Sequence, residues 1–125
     1  MRTLHISRSL GRVVIFCIAF GALTILPLLS RAQPATSVNI VNNSSREISH
    51  VYLSPVGSDD WGPNQLGNSV IAAGQSYTLN LACDQQQVKV IGEDQDGCFV
   101  STVVNCGDNA TWTVTNNTAR NCGGN

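Results

Sequence analysis

Apolar positions recur with a period of two along nearly all of the chain from residue 37 onward, and no stretch carries the spacing of a long amphipathic helix. "SVNIVNN" (37–43) reads as a strand that ends in the polar turn Asn42 to Ser45. "EISHVYLS" (47–54) is a second strand, rich in β-branched and aromatic residues. A loop from Ser54 to Gly67, "SPVGSDDWGPNQLG", interrupts the series, and "NSVIAAG" then gives a short strand that turns at Gly74. In "SYTLNLAC", Tyr77, Leu79, Leu81 and Cys83 point one way while Thr78, Asn80 and Ala82 point the other. "QVKVIG" and "CFVSTVVN" flank "EDQDG", and "TWTVT" closes the run with Trp112 and Val114 opposed to three threonines. Seven short antiparallel strands separated by turns predict an all-β sandwich.

The central hairpin leaves two registers open. A two-residue turn at Asp96-Gly97 pairs Val90 with Val103, whereas a three-residue turn ending at Gly97 pairs Val90 with Thr102 and Val88 with Val104. A slip of one residue exchanges the two faces of the whole strand. Both faces of 98–105 carry apolar residues, which suits a strand covered on both sides.

The start of the chain changes the reading of charge. Arg2, Arg8 and Arg12 precede a mostly apolar run from Val13 to Leu29, and "SRA" places Ser30 and Ala32 at the small positions before a cleavage site. This predicts a signal peptide over 1–32, a single domain over 33–125 beginning at Gln33, and a secreted or periplasmic location. An uncleaved anchor is the competing reading; Pro27 and the cleavage site weigh against it, so no stable membrane insertion is expected after signal removal. The remaining chain keeps Arg46, Lys89 and Arg120 against all eight acids, a formal charge of −5. No basic surface is left for phosphate backbones, which argues against nucleic acid as a partner.

A domain this small buries a modest core, so covalent cross-links matter to it. Cys83, Cys98, Cys106 and Cys122 remain, an even number that in an exported chain reads as two disulfides. No pair has the close spacing of a structural zinc site. Cys98 and Cys106 share one predicted strand, roughly 26 Å apart if extended, too far to bridge. In either hairpin register Cys106 falls opposite residues 86 to 87, close to Cys83. Folding "TWTVT" back along 98–105 would bring the tail "ARNCGGN" to Cys98, giving the pairs Cys83–Cys106 and Cys98–Cys122.

Few residues offer catalysis. A hydrolytic triad needs an imidazole base, and His50, a strand residue with no Gly-x-Ser-x-Gly motif anywhere in the chain, is the one candidate in the domain. It reads better as a solvated or hydrogen-bonded strand histidine. "GEDQDG" superficially resembles a calcium loop, but Gly92 and Val103 stand where the two anchoring carboxylates belong. A solvated acidic hairpin is the better reading, and neither a metal nor another cofactor is expected. The loop at 54–67 is richer. Trp61 beside Asp59, Asp60, Asn64 and Gln65 has the ingredients of a sugar platform, an aromatic face ringed by hydrogen-bonding groups. The favoured alternative folds Trp61 back to cap one end of the sandwich, with the aspartates accepting backbone N–H groups.

The combination "VNIVNNSSREISHVYLSP", "DDWGPNQLG", "AAGQSYTLNL" and "CDQQQVKVIGEDQDGC…VNC" resembles a family of small exported bacterial proteins. Its pattern is an Asn-ended strand, a Tyr-x-Ser-Pro strand end, an Asp-Trp-Gly loop, a Cys-Asp pair, an Asp-Gly hairpin and a final Cys. The resemblance covers residues 38 to 106 and implies export and an all-β fold, with no activity attached. It also points to Cys83 and Cys106 as the family's usual pair and to Cys98 and Cys122 as an added one. Asn105 departs from the leucine usual before the final Cys. The function expected is a non-catalytic exported module that binds a protein or glycan through loops or a strand edge, with Asp59, Asp60, Trp61 and Asn64 as its candidate contacts. A structural or envelope protein without a small ligand is the alternative, followed by a carbohydrate-active or other hydrolytic enzyme.

Overall fold

In the structure, a computed structural model, Pro27 and residues 35–123 are described, so the leader expected over 1–32 lies almost wholly outside the described residues. The alternating segments form six strands: β1 (Thr36–Asn43), β2 (Ile48–Pro55), β3 (Ser76–Leu81), β4 (Gln87–Asp94), β5 (Phe99–Asn105) and β6 (Asn109–Thr115). They make two three-stranded sheets, in the orders β3-β1-β6 and β2-β4-β5. The described part of the chain is an all-β sandwich, and no helix long and apolar enough to cross a membrane occurs among the described residues.

Alternation fills the space between the sheets. Val38 and Ile40 of β1, Leu79 and Leu81 of β3, and Trp112 and Val114 of β6 face Val51 of β2, Val88 and Val90 of β4, and Val100 and Val104 of β5. Each such aliphatic side chain removed from water stabilises the fold by about 1.5–3 kcal/mol. Trp112 is the core indole, and its Cη2 would lie 3.6 Å from a Cβ placed on Gly92. A side chain there would also meet Val100 Cγ2 at 3.3 Å, so the glycine makes room for packing across the sandwich.

Three features differ from the sequence expectation. The segment 68–74 contributes a single bridge, Ile71 with Ile48, rather than a seventh strand. One apolar residue anchors it, and Gly74, at φ 80°, turns the chain away at once. The strands are also not all antiparallel: β6 runs parallel to β1, pairing Ile40 with Trp112. Finally, β6 does not fold back on β5. The turn at 106–108 carries the chain from one sheet to the other, where β6 occupies the side of β1 that β3 leaves open.

The hairpin adopts the three-residue form, with Val90 opposite Thr102 and Val88 opposite Val104. Asp94 N donates to Cys98 O and Gly97 N to Asp94 O, while Gly97 at φ 77° takes the left-handed position such a turn requires. Only one face of β5 is covered by the core, since Val103, on the other face, is 49% exposed.

Both disulfides form as expected, Cys83–Cys106 and Cys98–Cys122, with Cα separations of 5.9 and 4.1 Å. Cys106 N donates to Gln86 O, which sets it beside Cys83. For the second bridge the tail itself, not β6, lies along β5: Phe99 and Asn121 exchange both backbone hydrogen bonds. Two persistent disulfides place the folded chain in an oxidising environment outside a reducing cytosol.

Candidate functional site

The loop after β2 follows the strand it leaves. Gly62 N donates to Leu53 O at 2.9 Å and Gln65 N to Val51 O at 2.7 Å, so residues 62–65 cover the outer edge of β2. Asn64 supplies the third attachment. Its Oδ1 accepts from Val51 N at 3.0 Å and Leu66 N at 3.1 Å, and its Nδ2 donates to Gly67 O. Leu66 then enters the core. At the other end of the loop, Ser54, fully buried, donates to Ser58 O at 2.7 Å. A strand edge that would otherwise offer free backbone groups is thereby closed.

Between those anchors, the Trp61 side chain reaches over the outer face of the β2-β4-β5 sheet. Strand register puts His50, Glu93 and Phe99 in one row of that face and Tyr52, Ile91 and Ser101 in the next. The Trp61 ring stands 5.6 Å from that of Tyr52 and 5.0 Å from that of Phe99, edge-on to the latter. Tyr52 and Phe99 belong to the two outer strands, so an indole touching both spans the middle strand. Beneath it Ile91, an outward-facing residue outside the continuous core, is only 1% exposed. The indole itself remains 36% exposed. Trp61 therefore does not cap an end of the sandwich as expected; it roofs a small second apolar layer and shows part of its surface to solvent. The physical reason is that the interior is already filled by Trp112.

Polar groups border the rings. Glu93 Oε2 accepts from Tyr52 Oη at 3.0 Å and lies 3.2 Å from His50 Nδ1. The latter contact lacks the angle of a hydrogen bond, and Nδ1 is shielded from solvent without another partner, so the two groups attract through charge when the imidazole is protonated. His50 otherwise stacks against Tyr52, with ring centroids 6.0 Å apart. Burial, then the hydrogen bond to Glu93, then the charge of that carboxylate push the Tyr52 phenol above its ordinary pKa.

Of the four residues singled out in the loop, Trp61 lies on this face and Asn64 holds the loop in place through its whole amide. Asp59 and Asp60 are exposed, and neither carboxylate accepts a hydrogen bond from the described residues; Asp59 bonds through its carbonyl, to Trp61 N, and Asp60 through its N–H, to Ser58 Oγ. The expectation that they accept backbone N–H groups does not hold, because Ser58 Oγ and Asn64 Oδ1 are the side-chain acceptors in this loop. Tyr52, Phe99 and Glu93 were absent from the sequence reading. The parity of Tyr52 with His50 was visible, but placing Phe99 and Glu93 beside them needed the hairpin register that the sequence left open.

Two open hollows, of about 170 and 460 Å³, lie elsewhere, on either side of the loop 82–86 beside the Cys83–Cys106 bridge. Their walls are small, aliphatic and amide residues with the cystine itself and Asp84 as the one acid, and contain no aromatic ring, so they offer less to a ligand than the face around Trp61. Among the described residues no group of three or more His, Cys, Asp or Glu side chains is placed to hold a metal ion. The arrangement around Trp61 supplies ring faces and hydrogen-bonding groups, the elements of recognition.

No protein-family model and no curated protein matches the chain. Among solved structures, an NMR structure of a protein from Eubacterium rectale aligns over 70% of this chain and 85% of its own, at 11% identity and a TM-score of 0.47, a likeness too distant to carry an argument.

Proposed function

We propose that the chain is an exported, non-catalytic β-domain that binds a glycan across the outer face of its β2-β4-β5 sheet. One observation carries the reading: Trp61 is held across Tyr52 and Phe99 by a loop pinned at both ends, yet keeps 36% of its surface exposed. A ring fixed in this way stacks on the C–H face of a sugar without losing much conformational freedom. Glu93, Asp59 and Asp60 supply acceptors for sugar hydroxyls. The formal charge of −5 over 33–125 favours neutral or amino sugars over anionic ones. The single imidazole of residues 33–125 and the lack of a nucleophile motif support the non-catalytic reading, and the leader pattern together with the disulfides supports export by way of a cleavage before Gln33.

A panel of neutral, amino and acidic oligosaccharides, titrated against the disulfide-bonded protein, tests this. Binding of a neutral or amino sugar that Trp61→Ala abolishes, with cooperative melting retained, is the expected result. Absence of binding across the panel would favour an envelope protein without a small ligand.

A further inference from the structure

The other outer face of the sandwich has a different chemistry. On the β3-β1-β6 sheet, none of the outward positions (37, 39, 41 and 43 of β1, 76, 78 and 80 of β3, 109, 111, 113 and 115 of β6) carries a charged or aromatic side chain. Apart from Val41 they are all Ser, Thr or Asn. Register aligns them in rows: Thr78, Asn39 and Thr111 in one, Ser76, Val41 and Thr113 in the next. The parallel pairing of β1 with β6 holds without a shift along its whole length. Side chains are tied across strands, Ser37 Oγ donating to Asn109 Oδ1 at 2.8 Å and Thr78 Oγ1 to Asn39 Oδ1 at 3.4 Å. The result is a fixed array of hydroxyl, amide and methyl groups, spaced about 4.7–4.9 Å across strands and about 6.6–6.8 Å along them.

That chemistry excludes the usual occupants one by one. The face offers no charge for nucleic acid or a charged lipid surface. It offers no ring on which a sugar could stack. Three strands of seven residues present roughly 300 Å², well below the ~800 Å² per partner of a standard protein interface. Stripping water from neutral hydroxyls and amides returns little when each new hydrogen bond only replaces one to water. One surface requires no stripping at all, because it is made of water.

We propose that the outer face of the β3-β1-β6 sheet binds ice. Charged side chains orient their hydration shells radially and disrupt a tetrahedral lattice, and this face has none. Hydroxyl and amide groups can replace lattice waters, and the methyl groups of Thr111, Thr113 and Val41 fit the spaces between them. The repeat distances of the array are of the same scale as the oxygen repeats of ordinary ice. Cross-strand hydrogen bonds and two disulfides keep the array rigid, so the hydration layer of the face merges with the crystal without a large ordering cost.

The test measures thermal hysteresis and ice-crystal shaping with the disulfide-bonded protein, alongside Thr113→Lys and Thr111→Lys, both at exposed positions, and Gln85→Lys, an equal charge change on a distant loop. The expected result is hysteresis and faceted crystals for the parent and for Gln85→Lys, with loss of both for the threonine variants at unchanged melting temperature. No hysteresis in the parent, or equal loss in Gln85→Lys, would overturn the proposal. Parent dimerisation, or retention on an insoluble neutral polysaccharide, that Thr113→Lys abolishes would assign the face to a second copy or to a glycan and overturn it as well.

Discussion

Asn64 accepts two backbone N–H groups and donates to a backbone carbonyl, so replacing it leaves Val51 N and Leu66 N without their acceptor. Asn64→Ala should lower stability by about 1–3 kcal/mol, whereas Asp59→Ala and Asp60→Ala should change it by less than about 0.5 kcal/mol. Urea unfolding of the three variants checks this, and equal losses would contradict the assignment. Tyr52 adds a pH dependence. Its folded-state pKa is raised above 10.0, so the folded protein keeps a proton that the unfolded chain has already lost. That contribution is complete below about pH 10 and fades as the pH climbs through the raised value. Tyr52→Phe lacks this titration, so above pH 10 its melting temperature should fall less steeply than the parent's; parallel curves would count against the Tyr52–Glu93 contact. At this scale the sequence was a partial guide. It pointed to Trp61 as the residue that matters in the loop, because an indole between two glycines and two acids is unusual. It did not separate Asn64 from Asp59 and Asp60, since all three carry oxygen acceptors and only backbone geometry decides which of them is used.

The tail shows how elements are joined without regular structure. Arg120 Nε donates to Asp94 Oδ2 at 2.8 Å and its Nη2 to Asp96 Oδ2 at 3.0 Å, Asn121 pairs with Phe99, and Cys122 bridges to Cys98. Asp94, 6% exposed, also accepts from Asp96 N and Cys98 N and stands 3.4 Å from Arg46 Nε. Asp94→Ala removes the shared acceptor of hairpin and tail and should cost about 3–5 kcal/mol. Cysteine pairs replaced by alanine should each cost about 2–4 kcal/mol, because the two bridges close loops of 23 and 24 residues. Calorimetry of the two double variants checks this: similar losses are expected, and a marked inequality would argue against a chain-entropy origin. Alternation made all six strands legible, β3 included. The sheet assignment of β6 was not legible, because Trp112 and Val114 satisfy the same pattern beside β5 or beside β1. The disulfides were still inferred correctly, because the hairpin sets Cys106 beside Cys83 and so leaves Cys122 for Cys98, even though the tail reaches Cys98 without β6 lying on β5.

The described domain is a sandwich whose two outer faces differ in kind. One carries rings and ionisable groups under a pinned loop; the other carries neutral hydroxyls and amides with Val41 among them. Nothing in the composition separates them, because the residues of each face come from three strands that are distant in sequence. Trp61 belongs to the first face twice over, since it shelters Ile91 and exposes its own ring. Trp61→Ala should therefore lower stability by about 1–3 kcal/mol through its two lost ring contacts, less than a core tryptophan would. Backbone and indole chemical-shift mapping during titration with the best-binding oligosaccharide from the panel shows whether ligand meets this face. Shifts are expected only at Tyr52, residues 58–62, Glu93 and Phe99, with the indole N–H of Trp61 moving and that of Trp112 still. Shifts centred instead on residues 82–87 and 106–107, around the hollows beside Cys83–Cys106, would put the ligand elsewhere and refute the glycan face.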